Sequence, residues 1–169
     1  MIVLNVEDPT PAWMNPPNEI SEDDTELNED PIEKNIFADV AVFSEKCKLE
    51  NIVNFFQPLF LQYIQNHENW KYQYSALMIA SQIVPQKATA ENMKVFAEWA
   101  LMAIKHPHPK VRYASLHLIG QYSEDLNPEF QDLFYEKFVP LTVDLFQDTV
   151  PRVVAHTFSC IVNFFDKCE

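Results

Sequence analysis

Three stretches of this chain lie over one another: WKYQYSALMIAS, PKVRYASLHLIG and PRVVAHTFSCIV. In that register Tyr72, Val111 and Val153 coincide, at spacings of 39 and 42 residues. Leu77, Leu116 and Phe158 stack as large residues, and Ala76, Ser115 and Thr157 put a smaller one just before each, which lets a neighbouring helix approach closely. Each stretch is preceded by a second periodic segment. In the first of these, Leu49, Ile52, Val53, Phe56, Leu59, Phe60 and Tyr63 follow the i, i+3, i+4, i+7 spacing of one buried helical stripe. Further helices are expected over 70–84, 89–105, 110–125, 129–147 and 151–166, broken at the joints NHEN, HPHP, LNPE and QDTVP. Pro58 in FFQPLFLQYI and Pro140 in KFVPLTVDLF stand 82 residues apart, about two periods, so an internal proline recurs at one place in the first helix of a pair. Pro109 and Pro151 open second helices, where a missing N–H costs nothing.

A helix pair recurring near every 40 residues is the pattern of HEAT-type solenoids, in which stacked pairs share one continuous core. The expected fold is all-α: a right-handed α–α superhelix of the armadillo type. It holds a lone second helix at about 33–47 and three full pairs at 49–84, 88–126 and 128–167, so the repeat segment spans 35–169. The first helix lacks its partner and neither end carries a polar cap, so the chain reads as an internal piece of something longer. Composition agrees. One glycine, Gly120, among 169 residues leaves no means to build a phosphate-cradling loop, a dinucleotide fold or a hairpin-rich β fold.

Charge divides the chain in two. Residues 1–34 hold ten acids against one base, Lys34, and carry five prolines, so they are read as an exposed acidic loop, mostly disordered. Within it Trp13 is out of place in a solvated tail and calls for a partner or a packing site. The overall charge of −13 argues against direct nucleic-acid binding and favours basic partners. Cys47, Cys160 and Cys168 form no Cys-x-x-Cys pair, which suits reduced thiols. Amides interrupt the uncharged run from Asn51 to His67, so no membrane insertion is expected.

The runs NHENWKYQYSALMIASQI, HPHPKVRYASLHLIGQYSEDLNPEFQDLFYEKFVP and PRVVAHTFSCIVNFFDKC resemble consecutive HEAT repeats of importin-beta-type karyopherins, of the importin-beta-3 branch, over roughly residues 36–168. The segment from Val6 through Trp13 to the acids Glu22–Asp30 is similar to the acidic loop that interrupts a central repeat in that superfamily. Gln73 and Val154 depart from the pattern where Arg112 keeps a basic residue, which weakens a polar ladder between repeats. The resemblance implies a nuclear import receptor that shuttles between cytoplasm and nucleus. Its implied partners are basic protein cargo, the GTPase Ran and nucleoporins, with the acidic loop as a contact to the GTPase or cargo. The loop residues that would make it are Trp13, Glu22, Asp23, Asp24, Glu26, Glu29 and Asp30.

No enzyme is expected, and no cofactor. His67, His106, His108, His117 and His156 lack the spacing of a zinc hydrolase, and no nucleophile motif occurs. Most of the aromatic stripe, from Phe55, Phe56 and Phe60 to Phe158, Phe164 and Phe165, is read as core by its helical spacing. In a HEAT superhelix the second helices line the concave side, so their late polar residues Ser81, Gln82, Gln121, Glu124, Asp125, Asn163 and Asp166 are the candidate binding face. Amides and carboxylates along a groove suit an extended basic peptide. The competing expectation is a HEAT scaffold that assembles a protein complex without nucleotide-dependent binding.

Overall fold

The computed structural model describes residues 6–16, 31–46, 48–84 and 88–166. Among them lie eight helices and no strand: α1 (Pro11–Met14), α2 (Pro31–Lys46), α3 (Leu49–Ile64), α4 (Trp70–Ser81), α5 (Ala90–Ala103), α6 (Pro109–Asp125), α7 (Glu129–Leu145) and α8 (Pro151–Phe165). The pairs α3/α4, α5/α6 and α7/α8 follow a lone α2, which packs on α4. The second helices form a row in which α4 packs on α6 and α6 on α8.

Local chemistry sets the boundaries. Asn69 caps α4 by accepting from the Lys71 N–H, and Thr89 and Asn92 close a reciprocal capping box on α5. Pro109 and Pro151 occupy the first turns of α6 and α8, and Pro58 and Pro140 lie inside α3 and α7. Helix α4 ends at Ser81, short of 84, and α7 at Leu145, short of 147. In both, the chain tightens into i→i+3 bonds: the Gln82 N–H reaches Ile79 O at 3.0 Å and the Gln147 N–H reaches Asp144 O at 3.3 Å. The apolar stripe runs on through that tightened turn, with Ile83 still buried, so periodicity alone overshoots the end.

Phenylalanines fill the layer between first and second helices. Phe138 of α7 lies 4.8 Å from Phe164 of α8, and Phe60 of α3 meets Phe96 of the next first helix, α5, edge-on at 4.8 Å. Three aromatic residues of the expected core stand in solvent instead: Phe55, Phe158 and Phe165. The aligned residues Leu77 and Leu116 are fully buried while Phe158 is 55% exposed, because α6 lies between two second helices and α8 has one on a single side among the described residues.

Polar ties run from pair to pair. The buried Tyr122 hydroxyl donates to Ala80 O of α4 at 2.9 Å. Arg112 grips Asp148 with two nitrogens, at 2.6 and 2.8 Å, and its remaining nitrogen donates to the carbonyls of His106 and Pro107. Gln73, at the same register in α4, binds the joint of its own pair through Ile64 O at 2.9 Å. On the outer side, Lys105 bonds Asp144 and Lys137 bonds Glu98, each across 39 residues.

Candidate functional site

Helix α6 shows which face of the second helices is available. Ser115 donates to Ala100 O and so points at the first helix α5. Tyr113 and His117, two residues to either side, lie about 200° round the helix, and Gln121 about 240°. Lys110, Tyr113, His117 and Gln121 therefore line the side turned away from the first helices. The two ends of that face differ in chemistry.

At the C-terminal ends of α2, α4 and α6 there is a groove of about 450 Å³, lined among others by Ser44, Glu45, Ser81, Gln82, Gln121 and Asp125. Four of the residues singled out from the sequence meet here: Ser81, Gln82, Gln121 and Asp125. Ser81 is buried and engaged, donating to Met78 O at 2.7 Å and accepting from the Gln82 amide at 3.1 Å, so it shapes the wall rather than offering a free hydroxyl. Gln121 donates to the Asp125 carboxylate at 2.9 Å, which holds both side chains over the groove. Glu45 supplies a second carboxylate from α2, and Ser44, one residue before it, lies 3.1 Å from Gln82 O and joins α2 to α4. The described lining residues include two carboxylates and no lysine or arginine, so the groove favours a cation. Glu124, Asn163 and Asp166 are exposed but lie outside it. Asn163 sits instead over Gly120, its amide nitrogen 3.8 Å from where a Cβ there would stand.

The N-terminal half of the same face is basic and aromatic. Lys71, Lys110 and Arg152 each take the second position of a second helix. Trp13 is buried against this row. Its ring meets Tyr113 edge-on at 5.6 Å, with the Lys110 ammonium at 5.8 Å and the Arg152 guanidinium at 5.3 Å from its centre. Arg152 also donates to the Trp13 carbonyl. Val6, from the same segment, is 1% exposed. The expectation of a mostly disordered stretch thus does not hold for residues 6–16, because Trp13 has a packing site within the chain. The acids Glu22, Asp23, Asp24, Glu26, Glu29 and Asp30 lie outside the described residues, as do Cys47 and Cys168.

The histidines are structural in this arrangement. His156 stacks on Tyr113 at 4.1 Å and lies 5.7 Å from His117. Burial above all, with the nearby His117 and Arg152, pulls the His156 pKa down to about 3, and burial lowers that of His117 too. His108 stacks on Trp70 at 3.7 Å, and burial brings it to about 4. All three are neutral at pH 7. Among the described residues no three His, Cys, Asp or Glu side chains converge as metal ligands. Cys160 is buried, which pushes its thiol pKa up and leaves it unreactive.

The cation row and Glu45 are not among the residues that the sequence singles out. The row had a signal, since WK, PK and PR open the three aligned stretches. Glu45 had none, because it belongs to the groove only through the packing of α2 on α4.

No family model matches the chain. Over 114 residues, 63% of its length, the chain is 29% identical to importin subunit beta-3 of Saccharomyces cerevisiae, of which it spans about one tenth. The crystal structure of Kap121p bound to RanGTP superposes with a TM-score of 0.82 at 18% identity, covering 99% of this chain and 16% of that one. Kap121p bound to the SUMO protease Ulp1p and Kap121p alone each give 0.78, at 19% and 20% identity, covering 96% of this chain and 16% of theirs. No described helix is long and apolar enough to cross a membrane. In sequence and in fold alike, the chain resembles an importin-beta-type karyopherin.

Proposed function

We propose that this chain is a segment of a nuclear import receptor that binds basic protein cargo along the inner face of its second helices, under the control of the GTPase Ran. The carrying observation is the groove with Glu45 and Asp125 on its walls, amides of Gln82 and Gln121 beside them and no basic residue among its described lining. Carboxylates and amides so placed accept from lysine ammonium groups and from the backbone of an extended peptide. The similar Kap121p has been crystallised with RanGTP and, separately, with Ulp1p, Pho4p, Nup53p and Ste12p. Those partners support the same reading for this chain, with the receptor shuttling between cytoplasm and nucleus and meeting nucleoporins on the way. The acids from Glu22 to Asp30 add electrostatic steering, which raises the capture rate of a basic partner.

Fluorescence anisotropy of a labelled lysine-rich peptide on the full chain tests the groove. Glu45→Gln with Asp125→Asn is expected to weaken binding about tenfold, and the outer-face pair Asp132→Asn with Glu136→Gln to leave it unchanged. Equal losses from both pairs would reduce the effect to net charge and refute a groove. Neutralising Asp23, Asp24, Glu26, Glu29 and Asp30 is expected to slow association without changing dissociation. Release of the peptide by Ran carrying GTP, and not GDP, is the expected sign of receptor behaviour, whereas a scaffold would ignore the nucleotide.

A further inference from the structure

A cation in the first turn of a helix opposes the helix dipole, which favours acids there. Lys71, Lys110 and Arg152 nevertheless occupy that turn in three successive second helices, each with an aromatic side chain close by. Helix stability does not account for such a row. Its occupant does. Residues 6–16 carry the acids Glu7 and Asp8 and set the Trp13 ring 5.8 Å from the Lys110 ammonium and 5.3 Å from the Arg152 guanidinium.

We propose that this row is a recognition surface for an acidic segment carrying tryptophan, and that residues 6–16 are its resident ligand, which a partner of the same chemistry has to displace. The segment is built as a ligand. Thr10 accepts from the Trp13 N–H at 3.1 Å and Pro11 opens the single turn, so the indole is presented with little freedom left to lose. Arg152 reads both the ring, by its charge, and the backbone, by its bond to the Trp13 carbonyl. The row also continues past the segment: Lys71 stands 5.8 Å over Trp70, which stacks on His108.

This surface is separate from the acidic groove. Tyr113 and Gln121, on one face of α6, are about 12 Å apart along the helix axis. The inner face is thus two-sided, one edge suited to an acidic aromatic segment and the other to a basic one, and the inference stands whether or not the groove binds cargo.

The test uses the full chain labelled with 5-fluorotryptophan, with the ¹⁹F resonance of Trp13 identified by Trp13→Phe. In the unmodified chain that resonance is expected at a buried position. Arg152→Glu is expected to move it to the solvent-exposed position while far-UV circular dichroism stays the same, since charge attraction becomes repulsion. Arg152→Gln is the milder companion, with a partial shift expected. A millimolar peptide of sequence VEDPTPAWMNP is then expected to displace the segment and produce the same shift. The peptide with Trp replaced by Ala, or with its two acids replaced by amides, is expected to act at least tenfold more weakly. A Trp13 resonance that stays buried in both Arg152 variants overturns the proposal. So does displacement that is indifferent to the peptide's tryptophan and acids.

Discussion

Helices α6 and α8 are built on one template and end in different environments. Both begin with Pro and a cation, both bury a small polar residue, Ser115 bonded to Ala100 O of α5 or Thr157 bonded to Val153 O of its own helix, and both follow it with a large apolar residue. In α6 that residue is Leu116, fully buried; in α8 it is Phe158, 55% exposed beside Phe146. The larger side chain is the exposed one. Burial in a stacked array is decided by whether a neighbour is present, not by the residue's own hydrophobicity. Polar chemistry follows the same logic. Arg112 of α6 has its carboxylate in the next joint, whereas Val154 of α8 stands at that register with no charge to offer.

The sharpest test of this contrast is to truncate both large residues. Leu116→Ala is expected to cost about 3–4 kcal/mol by urea denaturation, through lost burial and the cavity left behind, and Phe158→Ala less than about 1 kcal/mol. Equal costs would break the comparison. Asp148→Ala leaves the guanidinium of Arg112 in a nearly enclosed joint, and a loss of about 3 kcal/mol is expected, against little change for Val154→Ala.

Acid tests the seam between the two helices, where His117 faces His156. Their folded pKa values lie below the 6.5 of an unfolded histidine, so the unfolded chain takes up more protons below that pH. Their contribution is complete above pH 6.5 and is lost as pH falls toward the folded value, about 3 for His156. Each is expected to contribute a slope of up to about 1.4 kcal/mol per pH unit over that window. Urea midpoints at pH 7 and pH 5 measure it, and His156→Phe should flatten the slope. The smallest effect is a gain. A Cβ at Gly120 would meet Cys160 at 3.7 Å and Asn163 at 3.8 Å, ordinary contact distances, so Gly120→Ala is expected to stabilise the chain by about 0.5–1 kcal/mol. A thermal melt showing destabilisation would mean that α8 packs on α6 more tightly than those distances state.

What could be read in the sequence was what repeats. The register of WKYQYSALMIAS, PKVRYASLHLIG and PRVVAHTFSCIV sets the row of second helices, and the prolines mark first turns and first-helix interiors, because both signals act within a few residues of chain. Four groove residues were legible for the same reason, as late polar positions of aligned helices. The Trp13 socket was not, since Arg152 lies 139 residues from the indole it holds and no local pattern links them. Ser81 could not be told from a free hydroxyl either: its bond to Met78 O is invisible without coordinates.

The outer-side pairs Lys105–Asp144, from the joint after α5 to α7, and Lys137–Glu98, from α7 to α5, each tie one helix pair to the next at a distance of one period, and all four side chains are well exposed. Exposed pairs of this kind are weak and are screened by salt. The inner row is held by buried packing that salt hardly touches. Raising salt is therefore expected to weaken the outer ties while leaving the buried packing between second helices in place.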